Sequence, residues 1–281
     1  MFEFQNQWLE FIPPILYLIF LIIIVLKIQD KESSNESFFF ASRGISRQAS
    51  LISIIATETS VATVVIFPAV GYTSGLLVIW LCAGYIVGRF IVSYYILERI
   101  HRFDGLSLYG LLTESKSRNL LSFIYLLAKY ISGGVRFYLA AYAMNALVGG
   151  TIFFWIIAVA FIVGLYSLTG GLRAVVITDQ IQGLIIFMTG IWFCIVFRPD
   201  SFQSLSNIEF YTPLSFKAGY QGSILLFLGG LVITFSSHGA DQDMLQRVFS
   251  VNDFKSARWS LVLSGFGAAL VILIFSIIGF F

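Results

Sequence analysis

The chain has 281 residues, 58% hydrophobic, 17% aromatic and only 11% charged, with a mean hydropathy of +0.89. Ordinary soluble domains carry about a quarter charged residues, so this composition excludes a soluble fold, and a formal charge of +2 lacks the strongly basic face of a nucleic-acid binder. Cys82 and Cys194 lie in apolar runs, where a thiol behaves as a small hydrophobe, so they imply neither a disulfide framework nor a zinc site.

A helix needs about 20 apolar residues to cross a hydrocarbon core of about 30 Å. Runs of that order lie near 11–28, 48–70, 74–97, 119–147, 152–168, 175–197, 221–239 and 257–281. They predict an all-α polytopic membrane protein, a single transmembrane domain over 1–281 whose partner is the lipid bilayer, with no role for nucleic acid. Glu3 and Glu10 flank the first run with no preceding Lys or Arg, which marks a true span rather than a cleaved signal peptide.

Basic residues gather in alternate loops, the signature of the cytoplasmic side. Lys27, Lys31, Arg43 and Arg47 follow the first run, and Arg99, Arg102, Lys116 and Arg118 precede the fourth. Arg173, and then Arg247, Lys255 and Arg258, fall on the same side, whereas the Gly149–Gly150 turn carries no charge. Only the loop from Arg198 to Lys217 is mixed in sign. The pattern predicts an N-terminus outside, and an even number of spans returns the C-terminus there. The last run reaches Phe281 without a polar tail, so the chain reads as a truncated product or one half of something larger.

Polar groups inside hydrocarbon need partners, so residues that interrupt the spans are the informative ones. The run near 48–70 carries Ser53, Thr57, Glu58, Thr59, Ser60 and Thr63, followed by Pro68 and Gly71. A charge at that depth costs about 2.5–3.5 kcal/mol on insertion scales. One reading is a cation site of unwound backbone carbonyls with a carboxylate beside it; the other is a protonated Glu58 bonded to a neighbouring helix. Thr and Ser are common in membrane helix packing and Glu is not, which favours the first.

The run near 221–239 is interrupted similarly, by Gly229-Gly230 and then Thr234-Phe235-Ser236-Ser237-His238-Gly239-Ala240-Asp241. Two broken apolar segments at matching places point to an inverted-repeat transporter with its site near the midplane, although short Gly/Ser runs also serve tight packing. Lys129 and Arg136 share a helical face of the fourth run. Lys129 lies near enough to the cytoplasmic end to snorkel. Arg136 is deeper, and its guanidinium suits either bidentate recognition of a carboxylate or a structural pair with Glu58 or backbone carbonyls. Asp179 follows Gly170-Gly171-Leu172-Arg173, where a carboxylate ordinarily complements a helix dipole. His101 and His238 are far apart, and no metal-spaced cluster, nucleophile elbow or phosphate loop is present. Enzyme chemistry has no foothold.

Three segments resemble the sodium:solute symporter family, which includes bacterial proline, sialic acid and galactose symporters and the sodium–glucose cotransporters. They are Ala56-Thr57-Glu58-Thr59-Ser60 with Pro68, Gly71 and Tyr72; Thr169 to Gln182; and Asp241-Gln242-Asp243-Met244-Leu245-Gln246-Arg247. The resemblance implies a LeuT-type inverted-repeat fold, incomplete here: a leading helix (11–28), the first five-helix repeat (48–197) and the first two helices of the second repeat (221–281). It implies sodium as coupling ion and no organic cofactor. Backbone carbonyls of Ala56 and Thr59 would bind sodium, with the remaining ligands on a family helix outside this chain. Glu58 matches an Asp important for sodium in proline-type members, and Asp179 matches a Thr-Asp pair linked to a second sodium site or to inward release.

For a small-molecule substrate the resemblance suggests Ser60, Thr63, Arg136, Thr234, Ser237 and His238. Sugar-transporting members carry an aromatic gate where Ser237 falls, and Arg136 resembles the arginine that holds a substrate carboxylate. The expectation is sodium-coupled symport of a small carboxylate-bearing solute in the plasma membrane of a bacterium. The chain would act as part of a larger or split transporter, with a separate C-terminal half as partner. The alternatives are a non-transporting sensor module and an inactive truncated transporter.

Overall fold

A computed structural model describes residues 16–17, 19–24, 27, 35–101, 115–196 and 222–279. Half of the leading run at 11–28, the loop at 198–217 and the last two residues lie outside the described residues. The helices are α1 (Asn35–Phe40), α2 (Arg47–Glu58), α3 (Val61–Ser74) and α4 (Val78–Ile91), which a π-helical turn (Val92–Ile96) prolongs into Leu97–His101. Then come α5 (Ser115–Val148), α6 (Ile152–Val196), α7 (Ser223–Gly239), α8 (Gln242–Phe249) and α9 (Phe254–Ile278). Among the described residues the only bridges are isolated ones, joining Gly44 and Ile45 to Val251.

Helix starts follow local capping chemistry. Ser46 Oγ accepts the Ala49 N–H at 3.2 Å at the head of α2, and Asp253 accepts the Ser256 N–H at 2.9 Å at the head of α9. Gly149 and Gly150, with φ of 82° and 95°, make the turn between α5 and α6. Inside α6 the chain leaves helical geometry at Gly171 (φ 57°, ψ −164°), where the runs at 152–168 and 175–197 meet. The dihedrals call for glycine, and a Cβ there would also lie a tight 3.0 Å from the Phe38 carbonyl oxygen.

Among the described residues four helices are long and apolar enough to cross a membrane. The pair α7 and α8, bent by 65°, passes the same test of length and composition only when taken together, as a broken span or a re-entrant loop. Apolar surface gains nothing by leaving lipid, so association here depends on close packing, which small residues permit. The buried face of α9 shows this in Ala257, Ser260, Ser264, Gly265, Ala268 and Ala269, and α9 packs against α2, α3, α4 and α6. The serine hydroxyls donate to carbonyls of their own helix, such as Ser264 to Leu261 at 2.7 Å.

The α4–α7 crossing is tighter still. A Cβ at Gly84 would sit 2.2 Å from the Phe227 carbonyl oxygen, and one at Gly230 would sit 2.3 Å from that of Leu81. One turn further on, Gly88 faces the Thr234 side chain. By contrast α5 is exposed over most of its length and packs on α6 and α3.

Candidate functional site

The break expected in the run at 48–70 falls at Thr59 and Ser60, between α2 and α3. Thr59 (φ −82°, ψ 103°) and Ser60 (φ −118°, ψ 177°) are both extended. In a continuous helix the Ser60 N–H would bond the Ala56 carbonyl. It donates instead to Thr63 Oγ1 at 3.2 Å, while Thr63 Oγ1 donates to the Glu58 carbonyl at 3.4 Å. Thr59 Oγ1 donates to the Ile55 carbonyl at 2.9 Å, which fixes its rotamer and leaves the hydroxyl lone pairs, with the backbone carbonyl, for a ligand. Ala56 is buried where α6 comes closest: a Cβ at Gly183 would be 2.9 Å from Ala56 Cβ.

Three polar clusters lie around this break. In the first, Glu58 ends α2 and forms an ion pair with Arg89 of α4, while its Oε1 lies 2.9 Å from His238 Nε2 at the end of α7. Arg89 is fully buried, and Gly265 of α9 makes room for it, since a Cβ there would lie 3.0 Å from Arg89 Cδ. His238 Nδ1 is 2.8 Å from Ser237 Oγ, which donates to the Ile233 carbonyl at 2.8 Å. Glu58 thus joins the break after α2 to the end of α7, which is unbroken helix through Gly229-Gly230, not interrupted there as its sequence suggests. The partner weighed for it in the sequence, Arg136, is not the one that holds it.

The second cluster centres on Asp179. Its Oδ2 accepts from Ser53 Oγ at 2.6 Å, Thr57 Oγ1 at 3.3 Å, and Arg247 Nε and Nη2 at 3.3 and 3.2 Å. Ser53 and Thr57 are one turn apart on α2, and Arg247 lies on α8. Asp179 is therefore a cross-link between three helices, rather than the dipole-complementing carboxylate that its local sequence suggests. The third cluster joins α5 to the α7–α8 bend: Lys129 Nζ is 2.6 Å from Asp241 and 2.7 Å from Asp243, and Tyr125 Oη donates to Asp241 at 3.0 Å. Lys129 is held by carboxylates and does not merely snorkel.

Of the residues suggested for substrate, Ser60 and Thr63 are at the break, and Ser237 and His238 reach it through Glu58. Thr234 is buried in the α4–α7 crossing, its hydroxyl 3.4 Å from the Tyr85 carbonyl oxygen. Arg136 is exposed on α5 and makes no ion pair or hydrogen bond among the described residues. Beside Thr59 opens an apolar groove of about 500 Å³ between α2, α6 and α9, lined by Ile55, Gly183, Leu184, Phe187 and Gly267 among others.

A family model described as the sodium:solute symporter family matches residues 38–281. The chain belongs to that family. It is 23% identical to the human sodium/iodide cotransporter over 254 residues, 86% of this chain and 39% of that protein. It is 25% identical to a Staphylococcus aureus sodium/proline symporter over 250 residues, covering 82% of this chain and 48% of that one. The sodium/sialic acid symporter SiaT of Proteus mirabilis is 22% identical over 283 residues, 94% of this chain and 56% of that protein.

A solved structure of a Na+-coupled sialic acid symporter, substrate-bound and outward-open, matches with a TM-score of 0.86 at 20% identity, over 97% of this chain and 61% of that one. The fold is thus LeuT-type and partial. This sodium:solute symporter family chain spans about half the length of the curated relatives it matches. It is an integral membrane protein of a transporter family, not of an enzyme family.

Sequence reasoning missed Arg89 and Arg247. An arginine inside the apolar run at 74–97 is itself a signal, because an unpaired guanidinium there is costly. Arg247 stands in the third family-like segment, but nothing local to it points to Asp179.

Proposed function

We propose that the chain serves in sodium-coupled symport of a small carboxylate-bearing solute, as the N-terminal half of a larger or split transporter. The observation that carries the reading is the break at Thr59 and Ser60. It frees the Ala56 carbonyl from its helical partner at membrane depth, beside the Glu58 carboxylate. Carbonyl oxygens suit a hard monovalent cation that has shed part of its water. Family membership and three relatives named as sodium-coupled support sodium as the coupling ion. Asp179, already holding two hydroxyls and Arg247, is the second candidate ligand.

On this reading Ser60, Thr63, Arg136, Ser237 and His238 face the solute, with Thr234 supporting them from the α4–α7 crossing. Proline and sialic acid, named for two of the relatives, both carry a carboxylate, and the unpaired Arg136 suits one. The groove beside Thr59 would be covered by a helix of the remaining half, on a further segment or on a separate C-terminal partner. The membrane would be the plasma membrane of a bacterium with the N-terminus outside, and the division into a leading helix, a first repeat and the start of a second stands as part of the proposal.

The test has two arms. Thermal unfolding in sodium chloride against choline chloride reads ion binding by the chain alone, since a ligand that binds only the folded state raises the transition. Proteoliposomes with an inward sodium gradient then read uptake of labelled amino acids and organic acids. Glu58→Ala is expected to weaken sodium dependence more than Arg136→Ala, and Arg136→Ala to raise the half-saturating solute concentration. Equal effects of the two would undo this division of roles, and a chain that neither senses sodium nor takes up solute would end the proposal.

A further inference from the structure

The α7–α8 bend is held from outside by α5. Asp241 N-caps α8, its Oδ1 accepting the Asp243 N–H at 2.9 Å, and the same oxygen takes the Tyr125 hydroxyl at 3.0 Å. Lys129, one turn beyond Tyr125, reaches Asp241 Oδ2 and Asp243 Oδ2 at 2.6 and 2.7 Å. The backbone of α5 packs on α6 and α3, so side chains provide the link to the bend. One cation faces two carboxylates.

Removing Lys129 would leave both carboxylates at the N-terminus of α8, where the helix dipole tolerates negative charge and Asp241 still caps. The helix itself therefore does not need Lys129. What needs it is the orientation of α8 against α5.

The other end of α8 is fastened to the Asp179 cluster. Arg247 donates to Asp179 at 3.2 Å and to the Asp243 carbonyl at 2.8 Å, and Ser50 of α2 donates to the Arg247 carbonyl at 2.7 Å. Met244, Leu245 and Val248 bury the remaining face. The short helix is thus tied to α5 at its start and to α2 and α6 through Arg247, and α7, which carries Ser237 and His238, joins it at the bend.

We propose that Lys129 is a positioning residue which, through Asp241, fixes the α7–α8 bend and so holds Ser237 and His238 in register with the Asp179 cluster. This rests on the symport reading only for what the bend is used for; the tie itself is independent of it.

Spin labels at Tyr130→Cys on α5 and Asn252→Cys after α8, both exposed positions, report the α5–α8 distance in the full chain with Cys82 and Cys194 replaced by Ala. The parent gives one narrow distribution. Lys129→Met and Asp241→Asn each add a longer-distance population, Asn keeping the cap, and Lys129→Arg restores the narrow form. In uptake, Lys129→Met raises the half-saturating solute concentration by about fivefold or more, and Lys129→Arg recovers it. An unchanged distribution in either well-folded variant, Lys129→Met or Asp241→Asn, overturns the proposal. A broadened distribution with unaltered solute affinity overturns the positioning role. The distance needs no solute, so a parent that takes up nothing defeats transport by this chain alone and leaves the tie to be judged by the distance.

Discussion

Arg89 closes on Glu58 at the point where α2 stops, and it does so fully buried. Removing one member of a buried pair strands the other charge at a cost of about 3–5 kcal/mol, whereas replacing both costs much less. Arg89→Met and Glu58→Gln are each expected to lower the unfolding midpoint in detergent, and the double variant to recover most of the loss. Additive losses in this cycle would mean that the two charges do not depend on each other.

The Asp179 cluster predicts an asymmetry. Ser53→Ala removes one donor to Asp179 and the oxygen that accepts the Arg247 Nε–H at 3.1 Å, but leaves the Arg247–Asp179 pair, a loss of about 1–2 kcal/mol. Asp179→Asn leaves the Arg247 guanidinium without its carboxylate and costs about 3–5 kcal/mol. Unfolding midpoints of the two variants separate them, and equal midpoints would count against Asp179 as the centre of the cluster.

Gly230 and Gly84 predict a steric effect with no charge in it. At either position even Ala would press a methyl into the opposing backbone, so α4 and α7 must move apart. Such overpacking costs about 1–3 kcal/mol. Gly229 has no heavy atom near its would-be Cβ, so Gly229→Ala is the internal control and should be harmless. Unfolding measured side by side on Gly229→Ala and Gly230→Ala decides the matter.

At the head of α9, hydrogen bonds from the Ser256 backbone and side chain lower the Asp253 pKa. A depressed folded-state value means that the cap contributes above the ordinary carboxylate range and is lost as pH falls through the lower folded value. The protection factors of amides in the first turn of α9, taken against the intrinsic exchange rate at each pH, should fall on acidification in the parent, and that step should vanish in Asp253→Asn. A step of equal size in both would assign it to another group.

The break between α2 and α3 was legible because hydroxyls and a carboxylate inside an apolar run cannot be satisfied by a straight helix; in the second segment α7 runs unbroken from Ser223 through Gly229-Gly230 to Gly239, and the chain bends only after it. The turn at Gly149–Gly150 and the departure at Gly171 were legible from their glycine pairs, which accept the positive φ found there. What could not be read were partners set by tertiary packing. Arg89 lies 31 residues from Glu58, and Arg247 lies 68 from Asp179. No periodicity links them, and a lone arginine barely changes the hydropathy of its run. Gly230 and Thr234 stood beside the second break in sequence, yet their neighbours are the backbone and glycines of α4, information held in the crossing rather than in either helix.

The interruption at Thr59 and Ser60 also governs how the protein is made. α2 has 12 residues and α3 has 14, which at 1.5 Å per residue gives about 18 and 21 Å, each short of the hydrocarbon thickness. Neither piece alone is a full span; α3 reaches one only by running on into α4 within the apolar stretch Val61–Ile100. Glu58 emerges from the ribosome 31 residues before Arg89, so its counter-charge does not yet exist when the segment first meets the membrane. Stable integration of α2 is therefore expected to wait for α4, and codon changes that slow synthesis between the two residues would be expected to lengthen the exposure of Glu58.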